Sequence, residues 1–144
     1  MVPGDVWRET LERLRSCGQG ARECVVYWCG PADQEGRLDV AVHPRHMASA
    51  MSYELDEDWL HRFWIELGRK RSSVRAQVHT HQGAAFHSAT DDRWPIVHTP
   101  GFLSLVLPRF AIGNVDLGSA HLAERRADGG WATVAVAGRV RISP

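Results

Sequence analysis

Residues 56–81, DEDWLHRFWIELGRKRSSVRAQVHTH, change their hydrophobic period once, and this limits what the chain can fold into. Over the first part, Trp59, Leu60, Phe63, Trp64 and Leu67 recur at helical spacing and form one wide apolar stripe. Asp56 stands where a helix is capped, and the basic run Arg69-Lys70-Arg71 suits the negative end of its dipole. SVRAQVHTH then reads as a strand. A helix running directly into a strand places the chain in the α/β class.

The flanking sequence continues in the same manner. GDVWRETLERLRSCG predicts a first helix through Val6, Trp7, Leu11 and Leu14, with Asp5 as its cap and Gly18 just past its end. ECVVYWCG is a strand bounded by Gly30-Pro31, and GRLDVAVHP a second strand ending at Pro44. RHMASAMSYEL has no clean period and reads as loop with a short irregular strand at most. GFLSLVLP predicts a buried strand, and GSAHLAERR and GWATVAVAGRVRI closing strands joined by a turn at Asp128-Gly129-Gly130. With no repeat and no long linker, residues 1–144 are expected to form a single domain.

Composition narrows the function. Lys+Arg and Asp+Glu both total 17, so no net charge favours nucleic acid or an anionic membrane. No apolar run nears the roughly 20 residues of a membrane span, and no secretory leader pattern opens the chain; a cytoplasmic protein is expected. Three cysteines, Cys17, Cys24 and Cys29, do not suggest a disulfide framework; Cys24 and Cys29 are expected to pack as small hydrophobes.

The chemistry concentrates in QVHTHQGAAFHSATDD, residues 77–92. Residues i and i+2 of a strand share a face, so His79 and His81 project side by side. Two such imidazoles suit a tetrahedral zinc site, and Asp91, ten residues beyond His81, can return as an oxygen ligand. An isolated His-x-His is more often two ordinary histidines at a strand end. Ser88-Ala89-Thr90-Asp91 can act as a local capping arrangement, which would hold Asp91 while Ser88 faces the metal. A hydrolytic zinc site also needs a general base, for which Glu23 is a candidate; its alternative is an exposed carboxylate at a helix-to-strand turn. His87 is expected to pack or hydrogen-bond beside Ser88, Phe86 and Trp94 to pack in the core, and His98 is left without a role.

Glu23 with Gly30 in an early apolar strand, then His79-Thr80-His81, then Ser88-Ala89-Thr90-Asp91, resembles the JAMM motif of the JAB/MPN metalloprotease family. The order of elements matches from about Asp5 to Pro108. The resemblance implies a mixed β-sheet flanked by helices, with Zn2+ held by His79, His81 and Asp91. It implies Glu23 as the group that takes a proton from the metal's water, and Ser88 as donor to the developing oxyanion. Gln82 stands where the family usually has proline. The gap from His81 to Asp91 is one residue shorter than in the common eukaryotic form; the longer spacing would make Asp92 the ligand.

Members of that family cut after the C-terminal tail of ubiquitin or a ubiquitin-like protein. The resemblance therefore implies a compact bacterial-type isopeptidase or deubiquitinase-like enzyme. Its expected partners are a ubiquitin-like protein or its conjugate, with E1-like or E2-like proteins of the same pathway, and not nucleic acid or membrane. The rival readings are a zinc amidase acting on a small molecule, a processing enzyme for a sulfur-carrier protein, and an inactive MPN scaffold module.

Overall fold

The computed structural model describes residues 1–88 and 96–144. The chain opens with a two-residue strand, β1 (Val2–Pro3), and turns into the first helix, α1 (Gly4–Gly18). The expected cap moves. Pro3 takes the capping position, and Asp5 lies in the first turn, its carboxylate accepting from the Val6 N–H at 2.8 Å. The helix starts early because β1 is tied to the other end of the chain and delivers it there. At the far end Gly18 is still helical; Gln19, at φ 49°, adopts the left-handed conformation that closes the helix, donating to the Arg15 carbonyl.

Strand β2 (Val25–Pro31) follows, then β3 (Val40–Val42), much shorter than the expected GRLDVAVHP strand. The period-less stretch forms a small hairpin, β4 (His46–Ala48) and β5 (Tyr53–Leu55). Three residues a strand with mixed exposure carry too little alternation to be read from sequence. Helix α2 (Glu57–Arg69) is capped as expected: the Asp56 side chain accepts from the Trp59 N–H at 2.7 Å. Strand β6 (Ser72–Thr80) runs from it toward the histidine pair. Strands β7 (Leu103–Leu107), β8 (His121–Arg125) and β9 (Trp131–Thr133) complete the set, the last two joined at Asp128–Gly130 as expected. GWATVAVAGRVRI does not remain one strand. After Thr133 the chain leaves the sheet, makes a short helix, α3 (Val136–Arg139), buries Val140 against the α1 side, and ends as β10 (Ile142–Ser143) parallel to β1.

The main sheet has the order β3-β2-β6-β7-β8-β9. Only β6 and β7 run parallel; every other pair is antiparallel, so the expected mixed sheet is what forms. It is covered on both faces. Cys24, Val26, Trp28, Ala76, Val78 and Leu105 point to the α1 side, where Leu14 is 0% exposed. Side chains as fully buried as Leu14 are each worth about 1.5–3 kcal/mol. The Trp28 indole N–H donates to Thr10 Oγ1 at 2.8 Å, which pins α1 to β2 without a buried orphan donor.

Val25, Tyr27, Cys29 and Val74 point to the α2 side and meet Leu67, Trp59 and Phe63. The α2 stripe is narrower than its sequence suggests, because Trp64 remains 40% exposed. Among the described residues no helix is long and apolar enough to cross a membrane.

Candidate metal centre

The register of β2 against β6 positions the site. Val25 pairs with His79, so the residues just ahead of β2 lie beside the end of β6. There Thr80 and Cys24 are joined twice: the Cys24 N–H donates to Thr80 Oγ1 at 3.0 Å and the Thr80 N–H donates to the Cys24 carbonyl at 3.1 Å. Thr80 faces away from the two histidines that flank it, as strand alternation requires. His79 and His81 share the α2 side with ring centroids 5.2 Å apart, and they are 0% and 5% exposed.

Glu23, one residue ahead of Cys24, is 8% exposed, not the surface carboxylate of the alternative reading. Its N–H donates to the Ser49 carbonyl at 2.7 Å, which ties it to the turn of the β4–β5 hairpin. Tyr53 of that hairpin stands 6.0 Å from the His79 ring.

The backbone beyond His81 is held from below. The His81 carbonyl accepts from the Phe110 N–H at 2.9 Å, and the Gly83 carbonyl from the Arg109 N–H at 3.0 Å. Arg109, Phe110 and Ala111 all lie in the left-handed region, at φ 51°, 53° and 59°. Three consecutive non-glycine residues there are strained, at about 1–2 kcal/mol each, so the turn persists only because its surroundings determine it. Arg15 contributes by donating to the carbonyls of Ala111 and Gly113 at 2.7 and 2.9 Å.

The loop after His81 turns back to that histidine at Phe86. Phe86 packs its ring 4.6 Å from that of His81 yet is 53% exposed, so it is not the core residue expected. His87 packs against Trp131 at 4.5 Å, in keeping with its expected packing role. Ser88 is half-buried and His98 exposed. The expected ligand Asp91, its alternative Asp92, and Trp94 fall outside the described residues.

Two adjacent buried imidazoles form a donor pair that suits a divalent cation, and the buried Glu23 stands on the neighbouring strand position. His121, unremarked in the sequence, belongs to the same neighbourhood. It sits opposite Val106, which in turn pairs with His79, and its pKa is lowered first by burial and then by His81. Only strand register brings it there, and nothing local in GSAHLAERR signals it.

A second group of donors lies on the other side of Cys24. One ligand atom each from Cys17, Cys24, His43 and His46 falls within 4.8 Å of all the others. The two cysteines are joined as a disulfide, with Cα atoms 6.1 Å apart, which corrects the expectation that Cys24 is a simple small hydrophobe. The end of α1 and the residue just ahead of β2 bring the sulfurs together; the β3–β4 connection supplies His43 and the first residue of β4 is His46. Cys17-x6-Cys24 followed by His43-x2-His46 was the available sequence signal.

No protein-family model matches the chain. A curated protein of Sinorhizobium fredii (strain NBRC 101917 / NGR234), named probable metalloprotease y4jG, is 35% identical over 132 residues, covering 88% of this chain and 80% of the relative. Among solved structures, the solution structure of protein DSY2949 from Desulfitobacterium hafniense matches with a TM-score of 0.66, over 99% of this chain and 93% of that one. At 14% identity that likeness concerns the fold alone.

Proposed function

Because the chain belongs to the family of the Sinorhizobium fredii probable metalloprotease, we propose that it is a zinc-dependent hydrolase of the JAB/MPN type. It cuts after the C-terminal tail of a ubiquitin-like protein. The observation that carries this reading is the pair of buried, adjacent imidazoles His79 and His81 at the end of β6, with Glu23 buried just ahead of the β2 strand that pairs with it, in the order of the JAMM motif.

In this reading His79, His81 and Asp91 hold the metal and Glu23 does not. A bound zinc ion supplies a water of lowered pKa and a polarised scissile carbonyl. Glu23 accepts the proton of the attacking water and hands it to the leaving amine. Its tie to Ser49 and the clamp between Cys24 and Thr80 hold the carboxylate at a set distance from the imidazoles. The Ser88 hydroxyl donates to the developing oxyanion. Phe86 and Tyr53 flank the two histidines and limit water.

A thin peptide tail suits this architecture. The β4–β5 hairpin stands beside the site and among the described residues pairs with no third strand, so an outer edge can take an extended tail by main-chain pairing. The partners in this reading are a ubiquitin-like protein or its conjugate, with E1-like or E2-like proteins of the same pathway.

The test offers a tail-fused ubiquitin-like protein from the same genome alongside casein. Cleavage of the fusion at the tail is the expected result. Rapid cleavage of casein with the fusion intact would favour a general metallopeptidase; cleavage of neither by zinc-loaded protein would move the reading to an amidase on small molecules.

A further inference from the structure

We propose that Cys17, Cys24, His43 and His46 form a second, structural zinc site, filled when the two cysteines are reduced, that fastens the turn carrying Glu23. Each sulfur already faces one imidazole: Cys17 Sγ lies 3.3 Å from His46 Nε2 and Cys24 Sγ 3.2 Å from His43 Nε2. In tetrahedral Cys2His2 zinc, neighbouring donor atoms are about 3.3–3.8 Å apart. The two sulfur–nitrogen pairs therefore need almost no movement, and only the sulfurs must separate.

The tautomer of His46 is also suitable. Its Nδ1 donates to the Pro44 carbonyl at 2.8 Å, since a carbonyl can only accept. That bond leaves the Nε2 lone pair directed at Cys17, the arrangement by which proteins orient a metal-binding histidine. A disulfide alone has no use for two imidazoles aimed at its sulfurs. A surface depression of about 720 Å3, lined in part by Cys17, His43 and His46, gives an ion a route in.

The redox steps balance. Two molecules of a low-molecular-weight thiol reduce the Cys17–Cys24 disulfide to two thiols and leave as their own disulfide. Zn2+ then displaces two protons, giving two thiolate ligands beside two neutral imidazoles. Exchange with the low-molecular-weight disulfide runs this backwards: Cys17–Cys24 re-forms, the small disulfide is reduced to two thiols that take up two protons, and the metal loses its sulfur ligands. The structural consequence falls on the proposed catalytic base. A metal there joins the end of α1, the residue next to Glu23, and the β3–β4 connection. His46 further contacts Tyr53 at 6.1 Å, and Tyr53 contacts His79.

Cobalt tests the site on the full chain. The catalytic donor set contains no sulfur, so a thiolate-to-cobalt charge-transfer band reports on this site alone, whatever becomes of the catalytic reading. Reduced protein is expected to show the band at the intensity of one thiolate-bound Co2+ per chain, bleached by Zn2+; disulfide-bonded protein is expected to lack it. His43→Asn and His46→Asn should each weaken the cobalt affinity at least about 10-fold.

Wild-type protein gives two further readouts that need no variant to fold. Zn2+ should protect Cys17 and Cys24 from alkylation, and amide exchange across residues 18–24 should slow. Absence of the band from folded protein with free thiols would overturn the proposal. So would an undiminished band in both histidine variants, or metal bound without any slowing of exchange.

Discussion

Cys24 and Thr80 grip each other through two hydrogen bonds, N–H to Oγ1 at 3.0 Å and N–H to carbonyl at 3.1 Å. Thr80 is 0% exposed and sits between the two histidines, while Cys24 follows Glu23. The pair thus sets the spacing between the carboxylate and the imidazoles from the opposite face of the strand. Thr80→Val keeps the shape and leaves the buried Cys24 N–H without its acceptor, at a cost of about 1–3 kcal/mol. Thr80→Ser should recover most of it. Urea unfolding of the three proteins checks this; a valine variant as stable as wild type would show that the hydroxyl does not matter.

Glu23→Gln should retain zinc and lose hydrolysis by at least ~100-fold, the usual scale of a general acid–base group. His79→Ala and Asp91→Ala should instead release the metal. Metal content by atomic absorption beside activity separates the two classes. Loss of zinc from Glu23→Gln would make it a ligand; loss from Asp92→Ala but not Asp91→Ala would assign the ligand to the longer spacing.

Gly30 is glycine for a steric reason. A Cβ there would overlap the backbone carbonyl of Arg37, and backbone cannot swing aside as a flexible side chain can. Gly30→Ala should therefore destabilise the protein by about 1–3 kcal/mol. Zinc affinity should be unchanged in the fraction that remains folded. Calorimetry with a parallel zinc titration measures both, and an unshifted melting temperature would contradict the overlap.

Cys29 is 1% exposed, and burial pushes its thiol up to about 12 from an ordinary 9.0. Native protein at pH 8.5 should leave it unalkylated for as long as the fold persists, while denatured protein reacts at once. The sign of the pH effect follows. Above pH 9 the unfolded chain ionises Cys29 while the folded chain keeps the proton, so its contribution to stability, whole below that point, declines as pH rises toward 12. Cys29→Ala should flatten that decline in a stability–pH series; an equally steep decline would place its origin elsewhere.

The adjacency of His79 and His81 was readable in the sequence because it is local. Helix α2 follows from its stripe and from Asp56, both contained within residues 56–69. His79 and His81 share a face because a strand alternates, whatever it packs against. The elements misread were those with little local pattern: the three-residue strands β4 and β5, and the C-terminal stretch that leaves the sheet to reach β1.

The sequence by itself determined the α/β class, the main helices and strands, and the pairing of the two histidines, because backbone periodicity and capping act over a few residues. Tertiary structure alone decided that Glu23 is buried and that its stretch of chain meets the end of β6, since the Cys24–Thr80 contact spans 56 residues and depends on the β2–β6 register. It also brought His121 to the same face, and Cys17, Cys24, His43 and His46 to within 4.8 Å of one another. No local pattern encodes such meetings; they arise when a sheet buried on both faces must satisfy every strand in a single register.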